Sequence, residues 1–229
     1  MQIAARQSFL MGRAGPPLPY DAEVEYIEST GTQYVDTGVA YDHTCQCTLD
    51  FIPQSFGNFF YFGILWAPGA SSTMRRWTVT SGQYPQLFAY TTTNVASSVR
   101  LSTGVRYSLS ATSGALTING TTTNVTSSTF NPTNPVNIYL FARHTDAPQL
   151  DPQTVTGPCY IKLYSFQIYQ GGVLVRDLIP VRVGSGSSAV GYLYDRANPT
   201  GGPLGNGLYG NAADGQGGVT GFAQFGADK

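Results

Sequence analysis

The sequence predicts an all-β protein, a two-sheet antiparallel sandwich with an extended N-terminal arm, and three observations lead there. Short runs with a hydrophobic period of two recur along the chain, separated by clusters of Gly, Pro, Asn and Ser. No convincing helical period follows residue 20. Charged residues are 11% of the 229-residue chain against about 25% in an ordinary domain. Thr, Ser, Asn, Gln and Gly must therefore supply most of the polar surface, and with 13% aromatics this is the composition of a sheet protein.

One domain accounts for the length, since all-β sandwiches reach it as single units. The formal net charge of -1 provides no field to gather DNA, RNA or an anionic membrane. Nucleic acid is therefore not an expected partner. No apolar run approaches ~18 residues, so membrane insertion is not expected either.

Residues 1–22 read as an arm. A weakly helical patch from Ile3 to Met11 ends at Gly15-Pro16-Pro17 and Pro19, which stop a helix and extend the chain. Arg6 and Gln7 interrupt what would be the apolar core of a signal peptide, so none is expected. The Arg content and lack of acids also suit a mitochondrial transit peptide, which nothing else in the chain favours. The sandwich is assigned to residues 23–222 and a C-terminal tail to residues 223–229.

The first candidate strands are Glu23 to Glu28 and Gln33 to Val39, parted by the turn-forming Ser29-Thr30-Gly31-Thr32. From Cys45 to Phe51 the odd positions are apolar and Gln46, Thr48 and Asp50 are polar, so one face of that strand is wet. Phe59 to Trp66 is short and apolar throughout, which marks a central strand covered on both faces. Met74 to Thr80 and Gln86 to Tyr90 follow, and then Val105, Tyr107 and Leu109 alternate with Arg106, Ser108 and Ser110. Asn119-Gly120, between short β runs, is the strongest local hairpin signal. Val136 to Phe141 is a further strand, and Arg143 to Pro158 reads as a proline-rich loop.

Tyr160 to Tyr194 carries the longest β signal: two arms joined by Gly171-Gly172, which supply the positive φ of a tight turn, with a closing strand behind. On the second arm Val173, Val175, Ile179, Val181 and Val183 share one parity. Pro180 cannot donate to a ladder, so its side of the strand should lie at an edge or a bulge. Residues 198–221 are glycine-rich and read as a long irregular surface segment that Leu204, Leu208, Tyr209 and Phe222 could tack down.

Cys45, Cys47 and Cys159 are odd in number, and the first two project from one face of one strand, so all three are read as buried free thiols. No cysteine pair has the spacing of a zinc site, and no cofactor is expected. Asp146 and Asp151 offer oxygen ligands for calcium, but two aspartates five apart are read as loop solvation and turn capping. Asp36, Asp177 and Asp195 are read as structural. The three glutamates, Glu23, Glu25 and Glu28, all lie in the first strand and read as solvated strand residues rather than a facing catalytic pair. His43 and His144 lack a neighbouring nucleophile pattern, so no enzyme is expected.

A pyranose presents an apolar C–H face edged with hydroxyls, so a sugar site needs exposed aromatic faces flanked by amide or guanidinium donors. The candidates for such a ligand site are Trp77 beside Arg75 and Arg76, then Tyr84, Tyr90, Arg143 and His144. Trp77 shares parity with Val79, which favours the core over a ligand for that residue.

Two end motifs carry a resemblance to a known family. Glu25 to Gly38 (EYIESTGTQYVDTG), Val173 to Pro180 (VLVRDLIP) and Gly191 to Asp195 (GYLYD) resemble segments of concanavalin-A-like, laminin-G-like jelly-roll domains, common in proteins of gut bacteria and their phages. The resemblance spans residues 23–222 and implies a jelly roll with its first and last strands side by side. Hydrolases of that superfamily carry Glu-x-Asp-x-x-Glu on one strand, and Glu23, Glu25 and Glu28 leave the Asp position unfilled. Other members are lectins, glycan-binding modules and virion scaffolds, so the fold alone does not give a function. The resulting expectation is a non-enzymatic structural or adhesion module. It would be a phage virion component, such as a decoration, fibre or tail protein, docked through residues 1–20 to other virion or surface proteins, with homo-oligomerisation open. A glycan-binding lectin module on a bacterial surface or a phage is the alternative, with a cytoplasmic location also open, and a degenerate glycoside hydrolase ranks third.

Overall fold

The computed structural model describes residues 17–66, 75–90, 94–126, 129–132, 136–146, 154–214 and 217–229. In chain order the strands are β1 (Ala22–Glu23), β2 (Ile27–Thr30), β3 (Val35–Ala40), β4 (Gln46–Pro53), β5 (Phe60–Trp66), β6 (Arg75–Thr80), β7 (Gln86–Tyr90), β8 (Asn94–Ala96) and β9 (Tyr107–Ala111). There follow β10 (Ala115–Ile118), β11 (Thr121–Asn124), β12 (Asn137–Leu140), β13 (Arg143–Asp146), β14 (Thr154–Thr156), β15 (Tyr160–Gln170), β16 (Val173–Val183), β17 (Val190–Asp195) and β18 (Leu208–Tyr209). They form two sheets. The larger runs β11-β10-β9-β4-β15-β16-β17-β18, with β1 on β16 and β2 on β15; the smaller runs β14-β13-β5-β6-β7-β8, with β12 on β5 and β3 on β12. Apart from β13, which lies parallel to β5, the pairings among these strands are antiparallel.

The core lies between the sheets. Phe51 and Phe166 from the larger sheet meet Tyr61, Phe62 and Trp77 from the smaller, each fully buried. Burying one such aromatic contributes about 1.5–3 kcal/mol, so this layer holds the sandwich closed. β4 alternates as its sequence predicts, with Cys47, Leu49 and Phe51 inside. β5 is buried from Tyr61 to Leu65 because β6 flanks one edge and β12 and β13 the other. The expected hairpins form: Asn119 and Gly120 have φ of 47° and 82°, and Gly171 and Gly172 have 58° and 79°. All three cysteines are buried and free. Burial pushes the Cys45 thiol up to about 12, and Cys47 and Cys159 in the same direction.

Several expectations are corrected. Glu23 to Glu28 is not one strand. β1 pairs with β16 (Ala22 opposite Arg182) whereas β2 pairs with β15 (Ile27 opposite Leu163), so the chain changes partner between them and no single ladder runs through. The parity of β16 does not persist either, because Ile168 faces Arg176 while Tyr169 faces Leu174, a bulge at Val175. Val173 is consequently 64% exposed. Ile179 and Val181 turn to the outer side, where they pack with Tyr194, Leu208 and Tyr20 in a second small cluster. Pro180 lies just beyond the last β15 partner, Phe166 opposite Leu178, and its carbonyl accepts from the Val24 amide (3.1 Å), an arrangement that asks no donor of it.

Arg143 to Pro158 is not simply a loop, since β13 completes the smaller sheet along β5 and β14 pairs with β13. Val105, read as an inward strand residue, precedes β9 and is 47% exposed. Residues 223–229 are not a free tail. Their backbone joins β1 and β2 (Glu25 N to Ala227 O, 2.9 Å; Lys229 N to Glu23 O, 3.0 Å), and Arg182 pairs with Asp228 at 2.7 Å. The glycine-rich segment is tied down by buried Leu208, Tyr209 and Phe222 but not by exposed Leu204. Gly210 shows why glycine recurs there: a Cβ would sit 2.0 Å from the Thr220 carbonyl oxygen, so two backbones touch where no side chain fits. Residues 1–16 of the expected arm lie outside the described residues, and at its end the Tyr20 ring packs on Tyr194 with centroids 5.0 Å apart. Among the described residues, no helix is long and apolar enough to cross a membrane.

Candidate functional site

The alternation that fills the core leaves a second set of side chains on the outer face of the smaller sheet. Trp77 and Val79 of β6, and Leu87 and Ala89 of β7, point inward, so Arg76, Thr80, Gln86 and Phe88 point out. With Asn58, Phe60 and Tyr84 they line a groove of about 300 Å³. Gly63 lies in β5 opposite Thr78, with φ of 138° and room for no Cβ, which would sit 2.3 Å from the Trp77 carbonyl oxygen. The bare backbone of Gly63 lets β5 and β6 lie close beneath the groove.

Two arginines stand on aromatic rings at this groove. The Arg76 guanidinium carbon lies 3.9 Å from the Phe88 ring centroid, and that of Arg143 lies 4.4 Å from the Phe60 centroid. Among the described residues, none that lines the groove is acidic and neither arginine has a carboxylate within salt-bridge distance. Arg143 Nε is buried and makes no hydrogen bond. Burial first, and then the neighbouring charge of Arg76, lower the proton affinity of Arg143 to about 10; burial lowers that of Arg76 too.

The sequence-predicted ligand residues separate here. Trp77 is fully buried, stacked on Tyr41 at 5.1 Å and donating from Nε1 to the Thr112 carbonyl, so it has no face to offer a ligand. Tyr84 stands at the groove rim, 48% exposed. Arg143 reaches the groove through Phe60. Tyr90 has its backbone opposite Arg76 in β7, but its side chain lies outside what the structure describes. His144 is drawn into the framework, its ring stacked on Tyr139 at 4.2 Å and its Nδ1 3.1 Å from the Asn137 carbonyl oxygen. Phe60 and Phe88, the two platforms, are not among the sequence-predicted ligand residues, because Phe60 lies in a run that reads as covered on both faces and the strand of Phe88 reads without an assigned outer face. The inward parity of Leu87 and Ala89 was the one signal that placed Phe88 outside.

Elsewhere the carboxylates hold strands together. Asp50 grips Arg106 through both oxygens (2.8 and 2.7 Å), Asp177 binds Arg196 at 2.8 Å and Gln167 at 3.0 Å, and Asp195 takes the Asp177 amide at 2.9 Å with Arg176 3.6 Å away. Glu28 is 4.0 Å from Lys162. Among the described residues no group of three His, Cys, Asp or Glu side chains converges, and the calcium candidates Asp146 and Asp151 have side chains outside what is described. No protein-family model, curated protein or solved structure matches this chain.

Proposed function

We propose that this chain is a non-enzymatic display module, a β-sandwich that is docked through its N-terminal segment and presents its smaller sheet outward. The observation that carries this reading is the separation of the two. The N-terminal segment joins the larger sheet at β1, stapled by residues 223–229, while the groove opens on the outer face of the smaller sheet. Use of the carboxylates as strand ties supports a non-catalytic role. The likeness of the end motifs to concanavalin-A-like, laminin-G-like domains gives the setting, a phage virion or a bacterial surface. Deleting residues 1–20 tests this. The melting temperature is expected to stay within a few degrees, because the described part of that segment adds little beyond the Tyr20–Tyr194 contact, while incorporation into the larger particle is lost. Retained incorporation overturns the docking role.

A second reading, glycan binding by the displayed face, is favoured by one specific observation: the exposed Tyr84 ring stands beside guanidinium and amide groups in one groove. Retention on a glycan matrix that is lost in Tyr84→Ala is the result expected of that reading.

A further inference from the structure

We propose that the groove on the smaller sheet recognises an acidic saccharide, with Arg76 holding the sugar carboxylate within the field of Arg143 and Tyr84 covering the ring. This rests on the glycan-binding reading above and names its ligand class. Five cations of the larger sheet, Arg106, Lys162, Arg176, Arg182 and Arg196, each have a carboxylate within 4.0 Å. Arg76 and Arg143 have aromatic platforms instead and repel one another. Attraction to a ring leaves the charge of a guanidinium without a counter-ion, and its N–H fork matches the two oxygens of a carboxylate. An anion placed there supplies the counter-charge that no described residue provides.

The remaining chemistry of the groove narrows the ligand. Among the described residues Arg76 is the cation that lines it, which suits a singly charged carboxylate better than a phosphate dianion, whose desolvation costs more. Tyr84 gives an apolar face for a pyranose, and Asn58 and Gln86 place amides where hydroxyls would point. A volume of about 300 Å³ is at the small end for ligand sites, about 300–1,000 Å³, so one or two sugar rings are read rather than a long polymer.

The test is calorimetric titration of the full chain with a galacturonate trimer, its neutral galactose counterpart and a tri-glutamate peptide. The expected result is binding of the acidic sugar with Kd on the order of 1 mM and roughly tenfold weaker binding of the neutral sugar and the peptide. Arg76→Gln, at unchanged melting temperature, is expected to abolish the preference for the acidic sugar, and Arg143→Gln to reduce it. Should Arg76→Gln fail to fold, salt decides on the native chain: raising it must weaken binding of the acidic sugar and spare the neutral one. Equal binding of both sugars, indifferent to Arg76, overturns the carboxylate assignment and leaves the glycan reading standing. Equal binding of the peptide overturns the saccharide assignment, and no binding of either sugar overturns both readings.

Discussion

The outer face of the larger sheet and the outer face of the smaller one use cations in opposite ways. On the larger sheet Arg106 lies over the Tyr164 ring (3.8 Å) and is also gripped by Asp50, and Lys162 lies over Tyr26 (4.4 Å) with Glu28 beyond. On the smaller sheet Arg76 and Arg143 have the rings without an acid among the described residues. A cation with both partners is finished, since its charge is neutralised and its stem packed. A cation with only an aromatic platform is oriented yet electrically incomplete, which is how a site differs from a brace.

The largest effect that tests this contrast lies beneath the groove. Trp77→Ala is expected to cost about 3–5 kcal/mol in urea unfolding, whereas Tyr84→Ala on the rim should stay within about 0.5 kcal/mol. Were Trp77→Ala to leave stability intact while removing ligand retention, the division between core and groove would fail.

A smaller effect compares the faces directly. Arg106→Gln removes a bidentate ion pair that is partly exposed, and a loss of up to about 1 kcal/mol is expected. Arg143→Gln removes a half-buried charge with no acid partner among the described residues, so stability should hold or rise. Paired denaturation curves check the signs; equal losses at both positions would erase the contrast.

The smallest expected effect is acid sensitivity. The hydrogen bond from Arg182 holds the Asp228 carboxyl below its ordinary value of 3.8. A carboxylate depressed in the folded state contributes stability that is present above the ordinary value and lost as pH falls through the folded one. Unfolding measured from pH 5 down to pH 2 should therefore show a decline that Asp228→Asn reduces and Arg143→Gln does not. An identical decline in Asp228→Asn would remove the ion-pair explanation of the C-terminal staple.

Much of the fold was legible because its signals are local. The inward positions of β4, the buried run of β5 and the positive-φ pairs Asn119-Gly120 and Gly171-Gly172 follow from side-chain period and steric preference within a few residues. The bulge at Val175 was hidden, because Val173 to Val175 is β-forming in either register and only pairing with β15 shows the skipped position. Of the site, Tyr84 and Arg143 were legible as an aromatic and a donor. Trp77 was offered as a ligand candidate because an indole stands beside two arginines, but its shared parity with Val79 favoured the core, where it lies fully buried.

By itself the sequence determined that this chain is all-β, where most of its strands lie and which residue pairs turn them, since each of those depends on a short stretch of backbone. Tertiary structure alone decided which cations are neutralised. Asp50 meets Arg106 across 56 residues and Asp228 meets Arg182 across 46, so the pairings depend on which strands become neighbours and in what register. The same assembly set Arg76 and Arg143 over Phe88 and Phe60 with no acid beside them among the described residues. Charge complementarity is a property of distances in space, and distance in space is what a linear order of residues leaves open.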